Sequence, residues 1–132
     1  HKTSEKFHDT KIIEQVGHGL VPLIEKGKIN SPEMITLLRS YLTPMIEANI
    51  DYLVLGCSHY PYLIPQIKNI LPAQIQIIDS GEAVARQTQN VLKDKVGLSN
   101  IKNRAPLFYT NADPKVLSEI LGNQYEVIEK DF

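Results

Sequence analysis

Asp51-Tyr52-Leu53-Val54-Leu55-Gly56-Cys57 is the stretch on which the fold turns. Its apolar residues follow one another instead of alternating with polar ones, the pattern of a parallel strand buried on both faces. After the loop Ser58-His59-Tyr60-Pro61, the residues Leu63, Ile64, Ile67, Ile70 and Leu71 show helical spacing until Pro72 stops them. Ile75 to Ile78 predicts a second buried strand. Strand and helix in alternation predict an α/β fold with a parallel sheet, in which ligand groups collect beyond the carboxyl ends of the strands. Cys57 and His59 lie at such an end.

The alternation continues on either side. Upstream, Lys11 to Val16 reads as a short strand and Leu20 to Lys26 as a short apolar helix closed by Gly27. Ser31-Pro32-Glu33 combines a capping hydroxyl, a proline where its missing N–H costs nothing, and a carboxylate at the positive end of a helix dipole. The helix that starts there carries Ile35, Leu38, Leu42 and Ile46 as one apolar stripe, and Pro44 is expected to kink or divide it. Downstream, Asp79-Ser80-Gly81 leads into a helix from Glu82 to about Lys95, with Ala83, Val84, Gln87, Val91 and Leu92 on a mostly apolar face. After a polar loop come a strand from Leu107 to Thr110, a helix begun by Asp113-Pro114 and stopped by Gly122, and a strand from Tyr125 to Glu129.

Composition narrows the function. The 132 residues suffice for one compact unit, and 42% apolar with 22% charged residues is an ordinary globular balance. Fourteen basic against 15 acidic residues leave a net charge of −1, so no cationic excess exists to neutralise phosphates and no nucleic-acid partner is expected. Apolar stretches such as Tyr52 to Gly56 are far short of the roughly 20 residues that cross a bilayer, and His1-Lys2-Thr3-Ser4-Glu5-Lys6 lacks an apolar signal region, so no membrane partner is expected. With Cys57 as the single cysteine, an internal disulfide and a multi-thiolate zinc site are both excluded, and a reducing cytoplasm fits.

Cys57 and His59 are the candidate chemistry. Residues two apart at a strand end project to the same side, so the thiol and the imidazole reach one another or a shared ligand. A thiolate is the reactive form, and a cationic neighbour or the start of the following helix, read as Pro61 to Leu71, stabilises it. The free N–H groups of that helix start would also hold a carboxylate. Packing explains the same residues: free cysteine is among the most buried residue types, a loop histidine commonly bonds backbone, and Ser58 or Ser80 serves as a capping hydroxyl. Tyr60-Pro61-Tyr62 reads either as an aromatic lid or as a loop packed on its own helix. A Cys-x-His pair does not fill a tetrahedral metal site, so no metal is assigned.

Leu53-Val54-Leu55-Gly56-Cys57-Ser58-His59-Tyr60-Pro61 resembles the second active-site motif of the glutamate racemases, whose usual form has Thr in place of Ser58. Leu20-Val21-Pro22-Leu23-Ile24-Glu25, Ile77-Ile78-Asp79-Ser80-Gly81 and Phe108-Tyr109-Thr110-Asn111 agree with the family in order and spacing, so the resemblance covers nearly the whole chain. Where the family commonly has a Cys-Pro pair before the Leu20 segment, this chain has His18-Gly19. The resemblance implies a bacterial, cytoplasmic isomerase that uses no cofactor and interconverts L- and D-glutamate for peptidoglycan, with two similar α/β domains facing a cleft. It also implies that Cys57 is one of two thiols moving the α-proton, that His59 assists it and contacts substrate, that Ser58 binds substrate through its hydroxyl and N–H, and that Glu25 supports the site.

Inverting a stereocentre by proton transfer needs a donor on the face opposite the acceptor, and one cysteine serves one face. The expectation is therefore the carboxyl-terminal half of a racemase, inactive alone in inversion, whose partner is the missing amino-terminal half. By resemblance, residues 1–80 are the second α/β domain and 81–132 a helix and strand segment that returns to the first. The apolar surface so orphaned predicts homo-oligomers. An aspartate racemase of the same superfamily, a non-catalytic binding module and, more weakly, a cysteine hydrolase remain as alternatives.

Overall fold

The computed structural model describes residues 10–97 and 105–132; residues 1–9 and most of the expected polar loop, 98–104, lie outside the described residues. The first helix, α1 (Leu20–Glu25), buries Leu20, Leu23 and Ile24. It ends where Gly27 adopts φ 68, a left-handed conformation that costs glycine little, with the Gly27 N–H on the Ile24 carbonyl at 2.9 Å and the Lys28 N–H on the Leu23 carbonyl at 2.8 Å.

α2 (Pro32–Glu47) begins as the sequence predicts, with the Ser31 hydroxyl accepting from the Met34 N–H at 3.1 Å and Pro32 in the first turn. It is not divided at Pro44: the helix runs through it. The acceptor that loses its N–H partner there is the Ser40 carbonyl, and both residues are exposed, so that carbonyl is not buried unpaired. The buried stripe is Met34, Leu38 and Leu42, with Ile35 and Ile46 only partly buried beside it.

β1 (Tyr52–Val54) pairs in parallel with β2 (Gln76–Ile78), Leu53 opposite Ile77. Between them the chain makes a 3-10 turn, Tyr60–Leu63, and α3 (Ile64–Lys68), so the helix expected from Pro61 to Leu71 is two short pieces. The strand also differs from one buried on both faces. Leu53 and Leu55 are buried against α1, α2 and α3 side chains, whereas Tyr52 is 54% and Val54 66% exposed, and no described element covers that face. Each buried aliphatic side chain here contributes about 1.5–3 kcal/mol, so the one-sided core of Ile24, Met34, Leu38, Leu53, Leu63 and Ile67 carries this region.

α4 (Gly81–Lys95) forms where predicted but buries none of its residues. β3 (Leu107–Thr110), α5 (Pro114–Ile120) and β4 (Glu126–Glu129) make a second parallel pair, Phe108 opposite Val127. Asp113 accepts from the Lys115 N–H at 2.9 Å and caps α5, and Gly122 at φ 70 follows its end.

One expected strand is absent. Lys11 to Val16 is described but has no strand pairing. Its residues line, with α2 and β1, a cavity of about 950 Å³.

Candidate functional site

β1 delivers the site loop. The Leu55 N–H still bonds the Ile78 carbonyl at 2.8 Å; two residues later Cys57 leaves the sheet beyond the strand's carboxyl end, half-buried. The Tyr60 N–H returns to the Cys57 carbonyl at 3.1 Å and the Tyr62 N–H to the His59 carbonyl at 3.2 Å, so Cys57-Ser58-His59 is held in a tight turn.

Inside that turn His59 Nδ1 lies 3.9 Å from Cys57 Sγ and 3.5 Å from Ser58 Oγ, while on the other side of the ring Nε2 lies 3.4 Å from Glu25 Oε1 at the end of α1. A carboxylate beside Nε2 favours the proton there and leaves Nδ1 free to accept from the thiol or the hydroxyl. The order is carboxylate, imidazole, thiol, each within reach of the next. These separations are long for hydrogen bonds. All four residues singled out in the sequence, Glu25, Cys57, Ser58 and His59, are therefore gathered in one place, although Glu25 and Cys57 are 32 positions apart.

Three expectations about helix starts and caps change. The helix start offers no row of free N–H groups, because those of Tyr60 and Tyr62 are used within the turn, Pro61 has none, and Pro65 leaves the following turn short as well. Ser80 makes no side-chain cap; Asp79 accepts from the Gly81 N–H at 2.8 Å instead. Ser58 turns to His59 rather than capping a helix.

No local sequence pattern pairs Tyr60 with Gly17. The half-buried Tyr60 hydroxyl donates to the Gly17 carbonyl at 3.4 Å, and a Cβ on Gly17 would come within 2.5 Å of that hydroxyl. Burial, then the negative charge of a Cys57 thiolate, hold this hydroxyl above the ordinary tyrosine value of 10.0. A close glycine before α1 was the available signal; its partner lies 43 residues on. Among the described residues no helix is long and apolar enough to cross a membrane.

No family model matches the chain. Curated relatives do: it is 42% identical over 113 residues to a glutamate racemase of Pseudomonas entomophila, covering 86% of this chain and 43% of that protein, and 44% identical over 105 residues to one of Ralstonia pickettii, covering 80% and 37%. Solved structures agree in fold. A glutamate racemase isoform of Bacillus anthracis superposes with a TM-score of 0.73 at 26% identity, over 98% of this chain and 50% of that one. The glutamate racemase of Francisella tularensis in complex with D-glutamate superposes with a TM-score of 0.76 at 21% identity, over 99% and 50%. The chain spans about half the length, or less, of the proteins it matches, and over most of its own length it is similar in sequence to glutamate racemases.

Proposed function

We propose that this chain provides one half-site of a glutamate racemase, in which Cys57 moves the α-proton of glutamate on one face. The observation that carries the reading is the Glu25–His59–Cys57 array at the end of β1 in a chain 42% identical to a glutamate racemase. His59, oriented by Glu25, accepts the thiol proton through Nδ1; the thiolate takes the proton from the α-carbon, whose bonding electrons pass into the adjacent carboxyl group. Returning a proton to the same face restores the starting enantiomer. Inversion requires the proton from the opposite face, and we assign that donor to a group outside these 132 residues, since the chain has one cysteine. The Ser58 hydroxyl and N–H bind the substrate carboxylate. No cofactor enters the scheme; the product, D-glutamate, serves bacterial peptidoglycan synthesis in the cytoplasm.

In this reading residues 1–80 form one α/β domain and 81–132 a segment that completes the other. The open apolar residues support such a partner: Tyr52, Val54 and Ile78 on the first sheet and Val84, Val91 and Leu92 on α4 are exposed. The chain alone covers them by self-association. A strictly monomeric mass by light scattering at high concentration contradicts that.

Side-chain length tests the substrate. In deuterated buffer, proton NMR is expected to show the chain removing the α-proton signal of glutamate faster than that of aspartate. Equal rates, or faster loss from aspartate, overturn the assignment to glutamate.

A further inference from the structure

We propose that Tyr60 is a positioning residue for this array, holding α1 so that Glu25 stays against His59. The proposal rests on the half-site reading for the use of the array; its geometry stands apart from that reading.

The contacts form a closed circuit. From Cys57 the turn runs to His59, whose ring meets Glu25; Glu25 ends α1, and α1 begins just after Gly17, whose carbonyl receives the Tyr60 hydroxyl. Tyr60 closes the circuit through its own N–H on the Cys57 carbonyl. The same side chain is thus tied by its backbone to the turn that presents the imidazole and by its hydroxyl to the helix that presents the carboxylate. A second tyrosine grips the next residue: the Tyr41 hydroxyl donates to the His18 carbonyl at 2.8 Å, from α2.

The core alone does not fix this arrangement. Leu20, Leu23 and Ile24 bury α1, but apolar contact is non-directional and tolerates small rotations and slides of a six-residue helix. Glu25 lies about 9 Å along the axis from Gly19, so a small roll at the start moves its carboxylate away from the ring. Two tyrosine hydroxyls, 3.4 Å and 2.8 Å from the successive carbonyls of Gly17 and His18, restrict that freedom directionally. Glycine is required for the approach, since a Cβ on Gly17 would meet both Tyr60 Oη at 2.5 Å and Leu20 Cδ1 at 2.6 Å. The raised Tyr60 hydroxyl keeps its proton, and so remains a donor, throughout the neutral range.

The test reads the imidazole itself. In the 132-residue chain labelled with ¹⁵N-histidine, the His59 ring resonances, identified by their loss in His59→Gln, report which nitrogen carries the proton. Glu25→Gln is expected to shift them away from the Nε2–H form. Tyr60→Phe, which keeps the ring and removes the hydroxyl, is expected to shift them the same way, with the Glu25-paired population falling about 2- to 10-fold. The double variant is expected to match Glu25→Gln, because Tyr60 acts through that pair. A merely structural tyrosine lowers the melting temperature and leaves the His59 resonances in place, and that result overturns the proposal. So do additive shifts in the double variant, or no response to Glu25→Gln. Should Tyr60→Phe fail to fold, Gly17→Ala takes its place, since its Cβ would displace the Tyr60 hydroxyl: a shift in the same direction supports the proposal and unchanged resonances overturn it.

Glutamate α-proton exchange, followed on the same samples, separates the two readings. Unmoved His59 resonances with intact exchange remove the positioning role and leave the half-site. Absence of exchange in the unmodified chain counts against the half-site, and the His59 comparison still decides Tyr60.

Discussion

α2 and α4 are nearly equal in length, 16 and 15 residues, and each carries an apolar face, yet α2 buries Met34, Leu38 and Leu42 while α4 buries nothing. The difference lies in what surrounds them. α2 shares a buried core with α1 and the residues of β1, whereas the apolar residues Val84, Val91 and Leu92 of α4 are exposed. Isolated helices near this length are marginal in water, and helices in proteins draw most of their stability from tertiary packing. A sequence pattern therefore states that a helix has a partner without stating that the partner is present.

The largest expected effect breaks or confirms this contrast. Leu38→Ala should cost about 2–5 kcal/mol in urea unfolding, as a buried leucine leaving a cavity. Val91→Ala, on α4, should stay within about 0.5 kcal/mol in dilute monomer. Equal costs would mean that α4 is buried in solution. The helix starts sharpen the contrast at a smaller scale. Ser31→Ala removes a cap and should cost about 1 kcal/mol, whereas Ser80→Ala removes none and should be close to neutral. A cost at Ser80 comparable to that at Ser31 would show a bond absent from this arrangement.

The smallest effect concerns pH. Because the folded state holds the Tyr60 proton more tightly than the unfolded one, its contribution is fully present below about pH 10 and falls as pH rises through the higher folded value. Unfolding midpoints should therefore decline in alkali more steeply for the unmodified chain than for Tyr60→Phe. Parallel declines would contradict the burial of that hydroxyl. α4 has no part in this titration, so substitutions there should leave the slope unchanged.

What the sequence made legible was local. Ser31, Asp113, Gly27 and Gly122 each act within one turn of a helix, and all four mark helix ends where expected. The βα order and both parallel pairings follow from element succession. Burial was less legible, because Tyr52 and Val54 are apolar for a neighbour that no described element supplies. Lys11 to Val16 has a strand's composition, but pairing depends on the distance to β1, which no local pattern encodes. At the site, Cys57 and His59 were visible as near neighbours, and Glu25 entered only through family resemblance. The Tyr60 to Gly17 bond was invisible because it joins two turns whose approach the packing of α1 decides.

The central claim is that Cys57 is the group that moves the α-proton. Its most direct test is deuterium incorporation into D- and L-glutamate, followed by proton NMR, with the chain and its Cys57→Ala variant side by side. The account predicts loss of the α-proton signal from one enantiomer, with configuration retained by the chain alone, and no loss with Cys57→Ala. Exchange that persists in Cys57→Ala, or that is absent from both, would contradict it.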